Sequence, residues 1–117
     1  MDHLALAVRD RERSRRFYET YFGFDAAPAR EYDDGVIMLF NADGFALALG
    51  PTAEPVSVPH FFHYGLGVPR PEDVRAFAQR LRKADVPIVE EIDEPDYVSV
   101  KCRDPDGYVV ELSWEPD

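Results

Sequence analysis

Apolar and small or polar residues alternate along several short stretches of the chain, and two longer segments separate these stretches with helical periodicity. Residues 3–8 (HLALAV) alternate at every position, which predicts a β-strand with two distinct faces. Residues 71–83 instead repeat their apolar side chains at helical spacing and begin with Pro71, which is tolerated in the first turn of a helix. The chain therefore mixes strands and helices.

An internal repeat organises these elements. HLALAV at residues 3–8 aligns with HYGLGV at 63–68, at an offset of 60, and DGFALAL at 43–49 aligns with DGYVVEL at 106–112, at an offset of 63. Two matches in the same order indicate a duplication, with copies at residues 1–51 and 60–117 in a single domain of 117 residues. A proline-rich linker is predicted at about residues 50–59.

Each copy is predicted to fold as a strand, a helix and three further strands. We expect an α+β protein in which two tandem βαβββ modules form a cupped mixed sheet. The predicted elements are strand 3–8, a helix from 10 or 11 to 22, and strands 29–32, 36–40 and 45–49, then strand 62–68, a helix from 71, and strands 87–92, 97–102 and 108–114. Gly23 is predicted to end the first helix, and residues 41–44 and 104–107 are predicted turns.

One face of the first strand of each copy carries a histidine and otherwise only small residues. These are His3, Ala5 and Ala7 in the first copy and His63, Gly65 and Gly67 in the second. Small side chains leave room above the sheet, so two such half-sheets are predicted to enclose a cavity.

Three side chains on these inner faces could bind a metal: His3, His63 and Glu111. Two imidazoles and one carboxylate suit a divalent cation such as Fe, Mn, Ni, Co or Zn. The repeat partner of Glu111 is Ala48, which cannot ligate, so three protein ligands are predicted. His60 has no repeat partner and is predicted to be exposed.

Lys101 is predicted to lie beside Glu111 if Gly107 makes a bulged turn. It then either binds an anionic group of a substrate or shifts a neighbouring pKa, or it is a solvent-facing lysine; the sequence leaves both open. Glu111 and Lys101 are the candidate catalytic residues. Further residues predicted to line the cavity are Met38, Phe40, Ala48, Ser99 and Ser113.

Composition narrows the function classes. The 13 basic and 23 acidic residues give a formal charge of −10, which argues against nucleic acid as a partner. This acidity either maintains solubility, the interpretation we prefer, or attracts a cationic ligand. No apolar run approaches the roughly 18 residues that span a membrane, and no secretory signal is recognisable. The single Cys102, predicted to be a buried thiol, excludes an intrachain disulfide and fits a cytoplasmic protein.

HLALAV, the helical segment with SRRFYETYFGF, HYGLGV and DPDGYVVEL together resemble the vicinal oxygen chelate superfamily. This group includes glyoxalase I, extradiol dioxygenases, fosfomycin-resistance transferases and bleomycin-resistance proteins. The resemblance implies paired βαβββ modules around a divalent metal, often with the site completed across a homodimer. It matches His3, His63 and Glu111 to the metal-ligand positions.

Departures from the family pattern narrow what the resemblance implies. Glyoxalase I has a fourth ligand where this chain has Ala48, so that activity is disfavoured. Residues 90–96 (EEIDEPD) are acidic where the fosfomycin branch has a basic loop, so an anionic phosphonate is predicted to be repelled. The absence of a further inner-face histidine disfavours ordinary catechol cleavage.

Two hypotheses of function follow. In the first, the protein is a metal-dependent lyase, isomerase or dioxygenase whose metal chelates vicinal oxygens of a small substrate. In the second, it is a bleomycin-resistance type of binding protein that sequesters a cationic drug or metabolite without catalysis, conferring antibiotic resistance. The charge of −10 and the 13% aromatic content favour the second, and an intact ligand set favours the first.

Overall fold

The structure is a computed structural model that describes residues 2–54, 57–59 and 61–117, with the backbone alone for 26–30. The chain divides into two compact units, Met1–Ser57 and Val58–Asp117. Pro55 and Val56 of the predicted linker, and His60, lie outside the described residues, so the predictions for them stay predictions. No helix in the described part of the chain is long and apolar enough to cross a membrane.

The first unit contains β1 (His3–Val8), α1 (Arg11–Tyr21), β2 (Asp25–Glu31), β3 (Ile37–Phe40) and β4 (Ala46–Pro51). Its four strands form one sheet in the order β1-β4-β3-β2. β1 and β4 are parallel, and the other neighbours are antiparallel.

The second unit repeats this arrangement with β5 (Tyr64–Gly67), α2 (Pro71–Lys83), β6 (Ile88–Glu94), β7 (Tyr97–Arg103) and β8 (Val109–Trp114). Its sheet has the order β5-β8-β7-β6, again with one parallel pair. The α+β class and the βαβββ order of both copies are thereby confirmed.

Local sequence signals explain where the helices begin and end. The Asp10 side chain accepts a hydrogen bond from the Arg13 amide at 3.1 Å and caps α1. Gly23 has a φ of +73°, the left-handed conformation that commonly follows a helix end. Pro71 begins α2 as predicted.

The bulky face of each sheet is buried against the helix of its own unit. Leu6, Val8, Leu47 and Leu49 are at most 5% exposed in the first unit, where α1 packs on β4. In the second unit α2 packs on β7 and β8, and its side chains Val74, Phe77, Ala78 and Leu81 are buried. The opposite faces, which carry the candidate ligands, are left for other contacts.

The registers of the two sheets correspond between the copies. Ala5 pairs with Ala48 in the first sheet as Gly65 pairs with Glu111 in the second. The turns match as well, since Asn41 Oδ1 accepts from the amides of residues 43 and 45, and Asp104 Oδ1 accepts from those of residues 106 and 108.

Most strand boundaries lie within two residues of the predicted ones, and the differences at the starts of β2 and β5 affect the interpretation most. β2 begins at Asp25 rather than at residue 29, because it is an edge strand with an irregular register between Asp25 and Arg30, where a proline is tolerated. β5 is shorter than predicted and begins at Tyr64, so His63 precedes it. The loop before β5, rather than the sheet, therefore sets the backbone geometry of His63.

Candidate metal centre

A row of paired residues crosses the second sheet on the face away from α2. Lys101 pairs with Glu90 on one side and with Glu111 on the other, and Glu111 pairs in turn with Gly65. Gly107 has a φ of +91°, so the turn preceding β8 needs the glycine that the sequence provides. The predicted position of Lys101 beside Glu111 is confirmed.

Glu111 is held rigidly at the centre of this row. Its Oε2 accepts hydrogen bonds from the Tyr97 hydroxyl at 2.6 Å and from the Ser99 hydroxyl. The residue is only 9% exposed. A Cβ at position 65 would lie 3.1 Å from the Glu111 Cβ and backbone oxygen, so any larger residue there would press on Glu111. One carboxylate oxygen is thus anchored, which leaves Oε1 for another partner.

The surroundings of Glu111 favour its ionised form. Burial raises the pKa of this carboxyl, but the hydroxyls of Ser99 and Tyr97 and the charges of Lys101 and His63 more than offset that effect. The net pKa of Glu111 lies below its ordinary value. A buried carboxylate that is already ionised is ready to ligate a cation.

His63 faces the other oxygen of Glu111. Its Nε2 lies 3.6 Å from Glu111 Oε1, and its Nδ1 lies 3.0 Å from the Phe61 carbonyl oxygen. Because a carbonyl oxygen can only accept, Nδ1 donates to it, and Nε2 is the ring nitrogen left to face Glu111 and to ligate a metal. A ring nitrogen bonded to a backbone carbonyl is the usual support of a metal-bound histidine.

The distance between these two donors fits a shared divalent cation. Two donors each about 2.1 Å from one ion at a tetrahedral angle lie about 3.4 Å apart. The 3.6 Å between His63 Nε2 and Glu111 Oε1 is close to that separation. Both donors are also anchored through their other atom, so a metal would bind with little side-chain rearrangement.

His3 lies in the first unit, at the start of β1. Its Nδ1 is 2.6 Å from Asp2 Oδ1, and its side chain is 72% exposed rather than enclosed as the sequence led us to expect. Only alanines share its strand face, so nothing within that unit covers the ring. Among residues 2–54, 57–59 and 61–117, no three His, Cys, Asp or Glu side chains gather into a group that could hold a metal. The full ligand set therefore stays a prediction.

The remaining predicted cavity residues differ in burial. Ala5, Ala7, Gly65 and Gly67 are exposed, whereas Ser99 is only 1% exposed. The half-buried ones are Met38, Phe40, Ala48, Lys101 and Ser113. Met38 pairs with Ala48 as Lys101 pairs with Glu111, so the predicted equivalence of Met38 and Lys101 is confirmed.

Ion pairs neutralise much of the acidic stretch at residues 90–96. Glu90 accepts from Lys101 Nζ at 3.0 Å, Glu91 pairs with Arg82, and Asp93 binds Arg75 through two contacts of 3.0 Å. The hydrogen bond to Glu90 also raises the pKa of Lys101. The repulsion of anions inferred from the sequence is therefore weaker than the formal charges implied.

A cleft of about 440 Å³ opens in the second unit beside this row. Its polar lining is His63, Glu90, Lys101 and Arg103, and its apolar lining is Val58, Pro59, Phe61, Phe62, Val89 and Val109. The cleft can accommodate a small molecule next to the candidate ligand His63.

Sequence reasoning missed two supporting groups. Tyr97 shares the face of Ser99 and Lys101 by strict alternation, so its hydroxyl could have been placed beside Glu111 from the pattern. The Phe61 carbonyl carries no such signal, because it belongs to an irregular segment before β5. Cys102, by contrast, is fully buried as predicted, and burial raises its pKa to about 12.

A family model described as the Glyoxalase/Bleomycin resistance protein/Dioxygenase superfamily matches residues 1–112. The chain belongs to this superfamily. The resemblance of its sequence motifs to vicinal oxygen chelate proteins is thus confirmed, together with the fold that this resemblance implies.

Solved structures of the superfamily have the same fold. A possible glyoxalase from Bacillus cereus is 26% identical, with a TM-score of 0.80 and 96% of both chains covered. The fosfomycin resistance protein FosX from Listeria monocytogenes is 16% identical, with a TM-score of 0.82, and 99% of this chain and 93% of that one are covered. A superfamily domain from Frankia is 19% identical, with a TM-score of 0.82 and coverage of 99% and 97%. No significant match was found among curated proteins.

Proposed function

We propose that the protein is a metal-dependent enzyme of the vicinal oxygen chelate type. His3, His63 and Glu111 would hold a divalent cation, which would bind a small substrate through two adjacent oxygens. The observation that carries the proposal is the pair formed by His63 Nε2 and Glu111 Oε1, 3.6 Å apart and each anchored through its other heteroatom. The comparisons support it, since FosX from Listeria monocytogenes has been solved with Mn(II).

The bound metal would supply Lewis-acid chemistry by polarising the substrate oxygens. The chain's own residues do the rest. The hydroxyls of Tyr97 and Ser99 fix the direction of the Glu111 carboxylate, and the Phe61 carbonyl fixes the ring of His63. Fixed ligands and open metal positions suit isomerisation, elimination or dioxygenation, whereas Ala48 in place of a fourth ligand disfavours glyoxalase I.

The ligand set needs residues from both units, and we propose that a homodimer brings them together. His3 is exposed beside the bare face of Ala5 and Ala7, so a partner's second unit has room to pack on it. A closed two-fold assembly would complete two equivalent sites.

The alternative is a binding protein that sequesters a cationic drug without catalysis. The net charge of −10 favours it, because an acidic surface attracts cations. The cleft opposes it, since Lys101 and Arg103 line the wall beside His63. A cationic ligand there would face like charges.

Metal content of the purified protein tests the proposal. We would prepare the protein without a metal-affinity tag and quantify Fe, Mn, Ni, Co and Zn in the wild type, in His63→Ala and in His60→Ala, the latter being a histidine outside the predicted ligand set. We expect stoichiometric metal in the wild type and His60→Ala and its loss in His63→Ala. Absence of metal from all three, with binding of a basic ligand retained, would support the alternative instead.

A further inference from the structure

Two cations on β7 face the cleft of the second unit. Lys101 and Arg103 alternate along the strand and so share the face of Ser99, and both line the cleft together with His63. Arg103 pairs with Val109 and Lys101 with Glu111 in the register of β7 and β8. Lys101 therefore lies beside the candidate ligand Glu111, and both cations line the cleft that also contains His63.

The charge of Arg103 is not neutralised locally. Its guanidinium donates to the Gly107 carbonyl at 3.2 Å, and within the described parts of the chain it contacts no carboxylate. With Lys101 offset by Glu90, the cleft lining carries a formal charge of about +1 in a chain of −10. A bound divalent metal would add further positive charge next to it.

Glu90 is placed to act as an exchangeable partner of Lys101. Its side chain is 48% exposed, whereas that of Lys101 is only 18% exposed. The glutamate can turn into solvent at small cost, because exposed ion pairs contribute little net stability. An incoming anion could then take its place on the lysine.

The rest of the cleft lining is apolar and includes exposed side chains. Phe61 is 82% exposed, Val89 is 46% exposed and Phe62 is 42% exposed. Exposed large apolar side chains around a cleft are typical of ligand-binding surfaces. They offer a surface for the hydrocarbon or aromatic part of a molecule whose charged end lies on the cations.

We propose that Lys101 and Arg103 form an anion subsite in this cleft, which takes a small molecule with one anionic end and an apolar or aromatic body. Glu90 is the competing anion that occupies Lys101 when no ligand is bound. The proposal rests on the proposed function only in placing this ligand beside the metal, and it names the class of substrate that the cleft selects.

The test uses phenylacetate, acetate and benzyltrimethylammonium as probes, with binding followed by NMR chemical-shift titration of metal-free and metal-loaded protein. We expect phenylacetate to bind most tightly. Lys101→Met and Arg103→Gln should each weaken it about tenfold, because a hydrogen bond to a charged group is lost. Glu90→Gln should strengthen it severalfold. The matched controls are Lys83→Gln and Glu94→Gln, which change the net charge equally on exposed positions away from the cleft.

Three results would overturn the subsite: no phenylacetate binding by the wild type, equal binding by wild type and both cation variants, or tighter binding of benzyltrimethylammonium. Opposite shifts for Glu90→Gln and Arg103→Gln would support it even if Lys101→Met folded poorly. A protein that binds phenylacetate but no metal contradicts the proposed function and keeps the subsite. A protein that binds metal but none of the probes contradicts the subsite and leaves the proposed function standing.

Discussion

The two copies of the repeat share a backbone but differ in chemistry. Their sheets have the same strand order and register, and their turns use the same side-chain hydrogen bonds. Yet Ala48, Met38 and Phe40 of the first copy correspond to the charged residues of the second. Those counterparts are Glu111, Lys101 and Arg103.

This difference shows which parts of the pattern build the fold and which build the site. The buried face is apolar in both copies, and Leu39 and Cys102, which are equivalent, are both fully buried. The opposite face does not pack on the helix of its own unit, so its residues can differ between the copies without loss of the fold. The second copy carries charged groups on that face, and in the proposed metal site the first copy contributes His3.

The largest effect is expected when Glu111 is replaced by alanine, the residue that occupies the equivalent position 48 of the first copy. Glu111→Ala should weaken metal binding more than about a hundredfold, since loss of a ligand exceeds the 10–100-fold typical of its outer partners. Competition with a chelator measures the affinity. Glu115→Ala, an exposed glutamate just after β8, is the control, and unchanged affinity in Glu111→Ala would show that the copies do not differ in this way.

The hydroxyls that anchor Glu111 should matter next. Tyr97→Phe and Ser99→Ala each leave one hydrogen bond to Oε2, and each should weaken metal binding about tenfold with the fold intact. Calorimetric titration with Mn(II) measures the change, and Tyr32→Phe in the first copy is the control. Wild-type affinity in the double variant would mean that the hydroxyls do not position the carboxylate.

Much of the arrangement around Glu111 could be predicted from the sequence, because the repeat indicates which residues of neighbouring strands pair. Alternation placed Glu111 and Lys101 on one face, and a glycine before β8 set them side by side. The ion pairs of Glu90, Glu91 and Asp93 could not be predicted, because their partners come from α2 and β7, which are distant in sequence or on another strand.

His3 and His63 show the other limit of the sequence. Their shared motif predicts equivalent positions, but His63 precedes its strand, whereas His3 begins β1. The carbonyl that orients His63 belongs to irregular backbone, whose conformation depends on tertiary context rather than on a periodic pattern. A sequence motif can therefore identify a candidate ligand without showing which group orients it.

The matching turns should differ in their contribution to stability. Asp104 is 5% exposed and accepts two amide hydrogen bonds of 2.9 Å, so Asp104→Ala should lower the free energy of unfolding by about 1–3 kcal/mol. Asn41→Ala, in a less buried turn, should cost about 1 kcal/mol or less. Urea denaturation of both variants measures the difference, and a larger loss for Asn41→Ala would contradict it.

The smallest effect is expected at Cys102, which fills the place of Leu39. Because burial raises its pKa to about 12, thiolate is scarce at pH 8 and the native protein should not react with a thiol reagent. Reaction in urea is the control for an intact thiol. Rapid reaction of the native protein would show that Cys102 is not a core residue like its counterpart.

Mixing of two defective chains tests the central claim that both copies contribute to one metal site across a homodimer. His3→Ala and His63→Ala should each bind no metal alone. When the two are refolded together, random pairing makes about half of the dimers mixed, each with one intact site. Metal content should then recover to about a quarter of the wild-type value. No recovery despite mixed dimers, or full metal binding by His3→Ala alone, would contradict the account.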